Sequence, residues 1–358
     1  MSNEPLSMPP VLAEPSGHPR RRHFIDVAAA HLAVILAVAA TAALIQWALA
    51  YHPRVAPTAT LTSPGNGAGA VVAFSPDGKT LAVNDGNSSV YLWDVATRHR
   101  FATVTEPGTG IASFAFNPDG SVLAVADDDG SAYLLRVSTG QLIATLSHPD
   151  MGAPALSVAF SPDGTTLAAG DHDGSTFLWS AASGHLLATL TDPGNEAVTS
   201  VAFSPDGTKL ATACQDGTVY LWNVAAKDRI AALTVKGSAG LESTVFSPDG
   251  TTLATAADDG SSYLWNVATG HLIATLSDPA SRGVVALAFS ADGTTLAAGD
   301  GNGSAYLWDV ATRQLTATLD AGSGYQVNSV AFSRDGRTLA TAAPANATTY
   351  LWDVGGGQ

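Results

Sequence analysis

Short bursts of alternating apolar residues, separated by turn-forming tetrads, run along the chain from about residue 58 onward. The stretch VTSVAFSPDGTKLATACQDGTVYLWNV, residues 198–224, shows the unit. Val201 and Phe203 alternate with smaller residues, Ser204-Pro205-Asp206-Gly207 follows, and the small-residue run Leu210-Ala211-Thr212-Ala213 comes next. A second turn, Gln215-Asp216-Gly217, leads into Val219-Tyr220-Leu221-Trp222. Alternation of period two with β-branched and aromatic residues predicts three strands joined by two tight turns. Proline presets φ near −65° in the first turn, and glycine supplies the φ > 0 that returns the chain. Both faces of the third strand are apolar, Val219 and Leu221 against Tyr220 and Trp222, so its sheet is expected to lie between two others.

The unit recurs seven times. Its Asp-Gly stands at Asp77, Asp119, Asp163, Asp206, Asp249, Asp292 and Asp335, with successive gaps of 42, 44, 43, 43, 43 and 43 residues. The closing aromatic keeps step as Trp93, Trp179, Trp222, Trp265, Trp308 and Trp352, with Leu135 in its place in the second copy. Each full copy adds a fourth strand, such as Leu186–Leu190. A period in the low forties with four strands per unit predicts propeller blades. The last copy reaches Trp352-Asp353-Val354 before Gly-Gly-Gly-Gln, without a fourth strand, and Thr58-Ala59-Thr60-Leu61 is similar to Thr316-Ala317-Thr318-Leu319. Residues 58–61 are therefore expected to complete the last blade and protect its edge.

The marks Tyr91-Leu92-Trp93-Asp94, Tyr306-Leu307-Trp308-Asp309 and Tyr350-Leu351-Trp352-Asp353, with Phe-Ser-Pro-Asp-Gly at 74–78, 160–164, 203–207 and 246–250, resemble WD40 repeats over residues 58–358. The resemblance implies an all-β, seven-bladed β-propeller and a non-enzymatic platform for protein or peptide partners. Its style is similar to bacterial membrane-anchored WD40 proteins. It also implies a buried network in each blade that joins a Gly-His histidine, a Ser or Thr, the turn Asp and the Trp. This chain departs from that pattern. No Gly-His precedes the first strands, and the hydroxyl is present as Thr212, Thr255 and Thr341 but replaced by Val83, Val125, Ala169 and Ala298. The six Trp residues and the turn acids Asp129, Asp173, Asp216 and Asp259 are assigned to what remains of that network.

Residues 1–23 are rich in proline and are expected to form a disordered tail. Residues 24–51 are expected to be a transmembrane helix: residues 27–50 carry no formal charge, and at 1.5 Å per residue they cross a bilayer core of about 30 Å. The run is longer than the 7–15 apolar residues of a signal peptide, so a retained anchor is expected over cleavage after Ala50. Arg20-Arg21-Arg22 precede it and only Arg54 follows closely, which places the N-terminus in the cytoplasm and the propeller outside the plasma membrane. Ala29, Ala33, Ala37 and Thr41 form a small-residue seam that allows a weak homodimer. Residues 52–57, with Pro53 and Pro57, are expected to be a stiff linker.

Charge narrows the partners. The formal net charge of −15 argues against a nucleic-acid backbone, which needs a basic footprint. The single cysteine, Cys214, sits in a small-residue strand and reads as a buried, inert thiol. His99, His185 and His271 occupy equivalent turns of separate blades, and no metal-ligand spacing or nucleophile elbow occurs, so no catalytic residue, metal or cofactor is expected. Acid concentrates in the second turns, as Asp127-Asp128-Asp129, Asp171-His172-Asp173, Asp258-Asp259 and Asp300. A WD40-like ring puts these turns on one face with the variable loops. The candidate partner-binding residues are Asp127, Asp128, Asp171, His172, Glu196, Asp258, Arg282, Asp300 and Tyr325, in a negative field suited to a basic partner. Two other functions stay open: an extracytoplasmic ligand or ion sensor signalling through the helix, and a hydrolase with its site in the central channel.

Overall fold

The computed structural model describes residues 54–64, 70–86, 88–105, 107–108, 110–147, 153–235, 237, 240–278, 280–322, 325–343 and 348–355. The tail, the membrane helix and the small-residue seam expected over residues 1–51 lie outside the described residues. Among the described residues, no helix is long and apolar enough to cross a membrane.

Seven antiparallel sheets follow one another along the chain. Counted from the N-terminus, blade 1 runs from Ala70–Phe74 to Arg100–Thr105, blade 2 from Ile111–Phe116 to Leu142–Leu146, and blade 3 from Ala155–Phe160 to Leu186–Thr191. Blade 4 runs from Val198–Phe203 to Asp228–Thr234, blade 5 from Leu241–Phe246 to Leu272–Ser277, blade 6 from Val284–Phe289 to Leu315–Asp320, and blade 7 from Ser329–Phe332 to Thr348–Asp353. The first strands are innermost and touch their neighbours around the ring. Serine hydroxyls stitch them together: Val201 N donates to Ser157 Oγ at 3.1 Å, and Thr244 N to Ser200 Oγ at 3.1 Å. The same bond crosses from blade 7 to blade 1, where Val72 N donates to Ser329 Oγ at 3.2 Å.

Neighbouring blades pack face to face through buried apolar clusters that draw on second, third and fourth strands. Leu210, Tyr220 and Trp222 of blade 4 are buried against Ala168, Leu178 and Leu190 of blade 3. The fit leaves little space: a Cβ added at Gly170 would stand 2.6 Å from Val198 Cγ1.

The first turns keep one geometry. Ser204 Oγ donates to Asp206 Oδ1 at 2.6 Å, Thr208 N donates to the same oxygen at 3.0 Å, and Gly207 takes a φ of 69°. These donors hold the Asp206 carboxyl down at about 2. Where proline is replaced, at Ala291 and Arg334, the serine still reaches Asp292 and Asp335 at 2.6 Å. In blade 2 Asn117 replaces the serine and accepts from Val122 N at 2.9 Å, so the Asp–Gly pair is what all seven turns keep.

Ala59–Thr62 pairs antiparallel with the third strand of blade 7, Ala59 opposite Leu351 and Thr62 opposite Thr348. Upstream, Arg54–Val55 adds a fifth strand to blade 6, parallel to Leu315–Asp320, with Arg54 opposite Thr318 and Val55 opposite Leu319. The linker expected over 52–57 is thus not a free spacer. Its second half meets the unpaired ladder of an edge strand, which captures extended backbone, and Val55 packs into the apolar core shared by blades 6 and 7.

Candidate partner-binding rim

Loops that precede the first strands are hydrogen-bonded to the second turns and share one rim with them. Gln215 N donates to Ala197 O at 3.1 Å, Asp258 N to Gly240 O at 3.2 Å and Gly301 N to Gly283 O at 2.9 Å. First and third turns form the opposite rim, joined by bonds such as Val224 N to Thr208 O at 3.0 Å.

The two rims differ in charge. Asp128, Asp173, Asp216, Asp258, Asp259 and Glu196 are exposed on the loop rim, where Arg282 is the one Lys or Arg among the described residues. Lys79, Lys209, Arg334 and Arg337 lie at first turns, and Arg98, Arg100, Arg136, Lys227, Arg229 and Arg313 lie in or beside third turns. First turns also carry the exposed Asp77, Asp119, Asp163, Asp206, Asp249, Asp292 and Asp335, so exposed acid stands on both rims. There Lys and Arg offset it, and the uncompensated negative charge belongs to the loop rim. Crowding shows at Asp128, whose carboxyl is raised by burial and by the Asp127 and Asp129 charges.

The nine candidate residues divide by depth. Asp128, His172, Glu196, Asp258 and Arg282 are exposed, and Tyr325 stands 54 % exposed. Asp127, Asp171 and Asp300 are buried, which removes them from any surface a partner touches. Each ends a second strand and turns its carboxylate onto backbone amides. Asp127 accepts from Gly110 N at 3.0 Å and Asp129 N at 2.9 Å. Asp171 accepts from Asp173 N at 3.0 Å and Ser175 N at 2.9 Å. Asp300 accepts from the Ser281 hydroxyl and from Arg282 N at 3.0 Å, and so fixes the loop that displays Arg282. These acids shape the loops.

The model of the IFT122 first beta-propeller matches residues 154–358, more than half of the chain. That of the WD domain, G-beta repeat, matches residues 57–94, and that of the anaphase-promoting complex subunit 4 WD40 domain matches residues 99–152. The chain belongs to the WD40-repeat family. No curated relative matches it.

The buried WD40 network is rebuilt rather than merely reduced. Trp222 Nε1 donates to Thr212 Oγ1 at 3.1 Å, and Trp265 and Trp352 do the same to Thr255 and Thr341 at 3.1 and 3.0 Å. Opposite Val83 and Ala169, the buried indole nitrogens of Trp93 and Trp179 have no partner. The acid in blade 4 is not the turn residue Asp216 but Asp192, from the loop before the first strand. Thr212 Oγ1 donates to it at 3.1 Å and Cys214 Sγ at 2.9 Å. Burial pushes the Asp192 carboxyl up to about 6 despite both donors, with the Asp216 charge adding to the rise. Burial and the adjacent Asp192 carboxylate push the Cys214 thiol up in turn, so it stays protonated.

The turn acids serve tyrosines instead. Asp216 Oδ2 accepts from Tyr220 OH at 2.9 Å, Asp129 takes Tyr133 in the same way, and Asp259 takes Tyr263. Burial and these carboxylates push all three phenols up to about 12. Blade 3 carries Phe177 at this place, so Asp173 has no phenol opposite it. The four-residue spacing from turn acid to tyrosine was present in the sequence as the signal for this pair.

One further acid belongs to the rim. Glu242, second residue of the innermost strand of blade 5, stands half-buried where that strand meets the loops. Desolvation and the Asp258 carboxylate hold its carboxyl well above the ordinary carboxylate range. Among the described residues, no three metal-ligating side chains converge.

Proposed function

We propose that the chain is a membrane-held WD40 scaffold that binds a basic protein or peptide on its loop rim and catalyses no reaction. The observation that carries this reading is the one-sided distribution of Lys and Arg, which leaves the exposed acid of the loop rim faced by Arg282 alone among the described residues. Such a field raises encounter rates with a cationic partner and fixes its orientation more than its final affinity. Tyr325 supplies an exposed aromatic of the kind that anchors an interface centre. Arg282, held by Asp300, supplies discrimination against uniformly basic ligands. The uncharged run over residues 27–50 supports anchoring, and its flanking arginines support an extracytoplasmic propeller.

The test uses the full chain in native membranes and a cross-linker that cannot cross the bilayer. Intact cells should yield adducts to a basic neighbour, and Asp128→Lys, Glu196→Lys and Asp258→Lys combined should abolish them. Adducts that survive the triple reversal sink the rim. Reaction only after lysis overturns the topology. The sensor reading rests on the paired Glu242 and Asp258: a melting temperature of the full chain that responds to a cation or metabolite, and loses the response in Glu242→Gln, would favour it.

A further inference from the structure

The rim opposite the loops carries a second surface. In blades 1–5, one position of the fourth strand holds a large exposed apolar residue. It follows the residue paired with the closing Trp or Leu, and it is Phe101, Ile143, Leu187, Ile230 and Ile273 in turn. These side chains are between 36 % and 56 % exposed. The equivalent positions in blades 6 and 7 are Thr316 and Thr58, where the incoming segment 54–62 runs along the edge. Apolar residues therefore stand at one level around the circumference wherever the chain's own N-terminal strands do not.

Two independent features share this rim. The third turns of blades 1, 4 and 6 place Arg98, Lys227 and Arg313 at φ of 59°, 61° and 63°, where blades 2, 3 and 5 use Gly140, Gly184 and Gly270. A long basic side chain in the left-handed region carries a conformational cost that glycine avoids, and such residues cluster where a function maintains them. Second, Arg54–Val55 runs parallel to Leu315–Asp320, which rises from the third-turn rim toward the loop rim. Within this pair Arg54 is therefore the end nearer the third-turn rim. Ala50, the last residue of the uncharged run, lies four residues earlier, a span of at most about 14 Å.

We propose that the rim of first and third turns stands on the lipid surface of the bilayer holding residues 27–50, with the five apolar side chains at headgroup level and the acidic loop rim turned to solvent. This inference rests on the reading of residues 27–50 as a membrane span. A flat surface meets equivalent positions of successive blades together, and basic side chains beside aliphatic and aromatic ones suit phosphate headgroups over acyl chains. Four carboxylates share the belt, Asp94, Asp228, Asp309 and Asp353. Asp94 and Asp309 are engaged by the amide and hydroxyl of Thr97 and Thr312. The first turns of the same rim add seven exposed acids, Asp77, Asp119, Asp163, Asp206, Asp249, Asp292 and Asp335, each accepting from the backbone N–H two residues on.

The experiment places one cysteine at a time in the full chain, Ile143→Cys or Ile230→Cys on the belt and Glu196→Cys on the loop rim. Each carries an environment-sensitive fluorophore and is reconstituted in phosphatidylcholine–phosphatidylglycerol vesicles with a lipid-borne quencher. Cys214 is buried, and the unsubstituted chain serves as the labelling blank. Both belt probes should be blue-shifted and quenched several-fold more than the loop-rim probe. Equal quenching at all three sites overturns the proposal. Blue-shifted belt probes that the lipid quencher does not reach also overturn it, because another protein or a second copy then covers the belt. Flotation separates the premises. A chain that floats with vesicles while its belt probes remain in water overturns this inference alone, and a chain that does not float overturns the anchor and the inference together.

Discussion

Blades 3 and 4 are neighbours with closely similar sequences, yet they solve the same burial problem in different ways. Blade 4 connects Trp222, Thr212, Asp192 and Cys214 in one buried hydrogen-bonded group. Blade 3 has Ala169 where Thr212 would stand, leaves the Trp179 indole nitrogen unpartnered, and puts Asp171 where blade 4 has Cys214. Both blades still bury their Trp. The lesson is that apolar packing sets the fold, while the buried acid is exchangeable in source and in task. In blade 3 it comes from the strand and holds the second turn, accepting from Asp173 N and Ser175 N. In blade 4 it comes from the loop and holds that loop against the second strand.

The largest expected effect tests the acid of blade 4. Asp192 titrates near 6 in the folded chain, above its ordinary 3.8, so the folded state holds a proton that the unfolded state has lost. Its stabilising contribution is full below pH 3.8 and disappears as pH rises through 6, by up to about 3 kcal/mol. Denaturant midpoints of the wild type and Asp192→Asn should therefore diverge across this window, with the wild type losing stability relative to the variant as pH rises. Parallel curves would show that the carboxyl is not held neutral.

Next comes the packing between the two blades. Gly170→Ala drives a methyl to 2.6 Å from Val198 Cγ1 and 3.1 Å from Val201 Cγ1, at a cost of about 1–3 kcal/mol. Its counterpart, Ala213→Gly, should cost only about 0.5–1 kcal/mol through backbone entropy. Thermal unfolding of the pair decides it, and similar losses would mean that blade 3 relaxes freely.

The indoles give a smaller contrast. Trp222→Phe removes a hydrogen-bonded N–H whereas Trp179→Phe removes an unpaired one, so the first should cost about 1 kcal/mol more than the second. Smallest is the repair of blade 3: Ala169→Thr offers the Trp179 indole an acceptor and should raise stability by about 0.5–1 kcal/mol, read as a higher denaturant midpoint. A loss instead would show that blade 3 has no space for the hydroxyl.

The blade architecture was legible because each turn advertises its own geometry. Ser-x-Asp-Gly specifies a local hydrogen-bond pattern independent of the rest of the chain, and the Trp–Thr pairing follows from strands that must face one another. What stayed hidden depended on depth and on loop course. Asp127, Asp171 and Asp300 read as surface turn acids because alternation along a strand assigns a side, not a distance from solvent. Asp192 was indistinguishable from other loop residues, since nothing local says that the loop folds inward toward Thr212. Val55 sits between prolines that suggest an independent spacer, and only the vacant edge of blade 6, formed by residues some 260 positions later, draws it into a sheet.

Thr58 reaches Leu351 across 293 residues of sequence. A ribosome adding about 5–20 residues per second exposes Ala59–Thr62 roughly 15 to 60 s before the strand it pairs with exists. Each blade from the first to the sixth finds its four strands in the order they are made, but the seventh waits for the oldest strand of the ring. A nascent chain halted anywhere before residue 348 keeps that segment bare, so the state of one early strand reports whether synthesis of the whole ring has been completed.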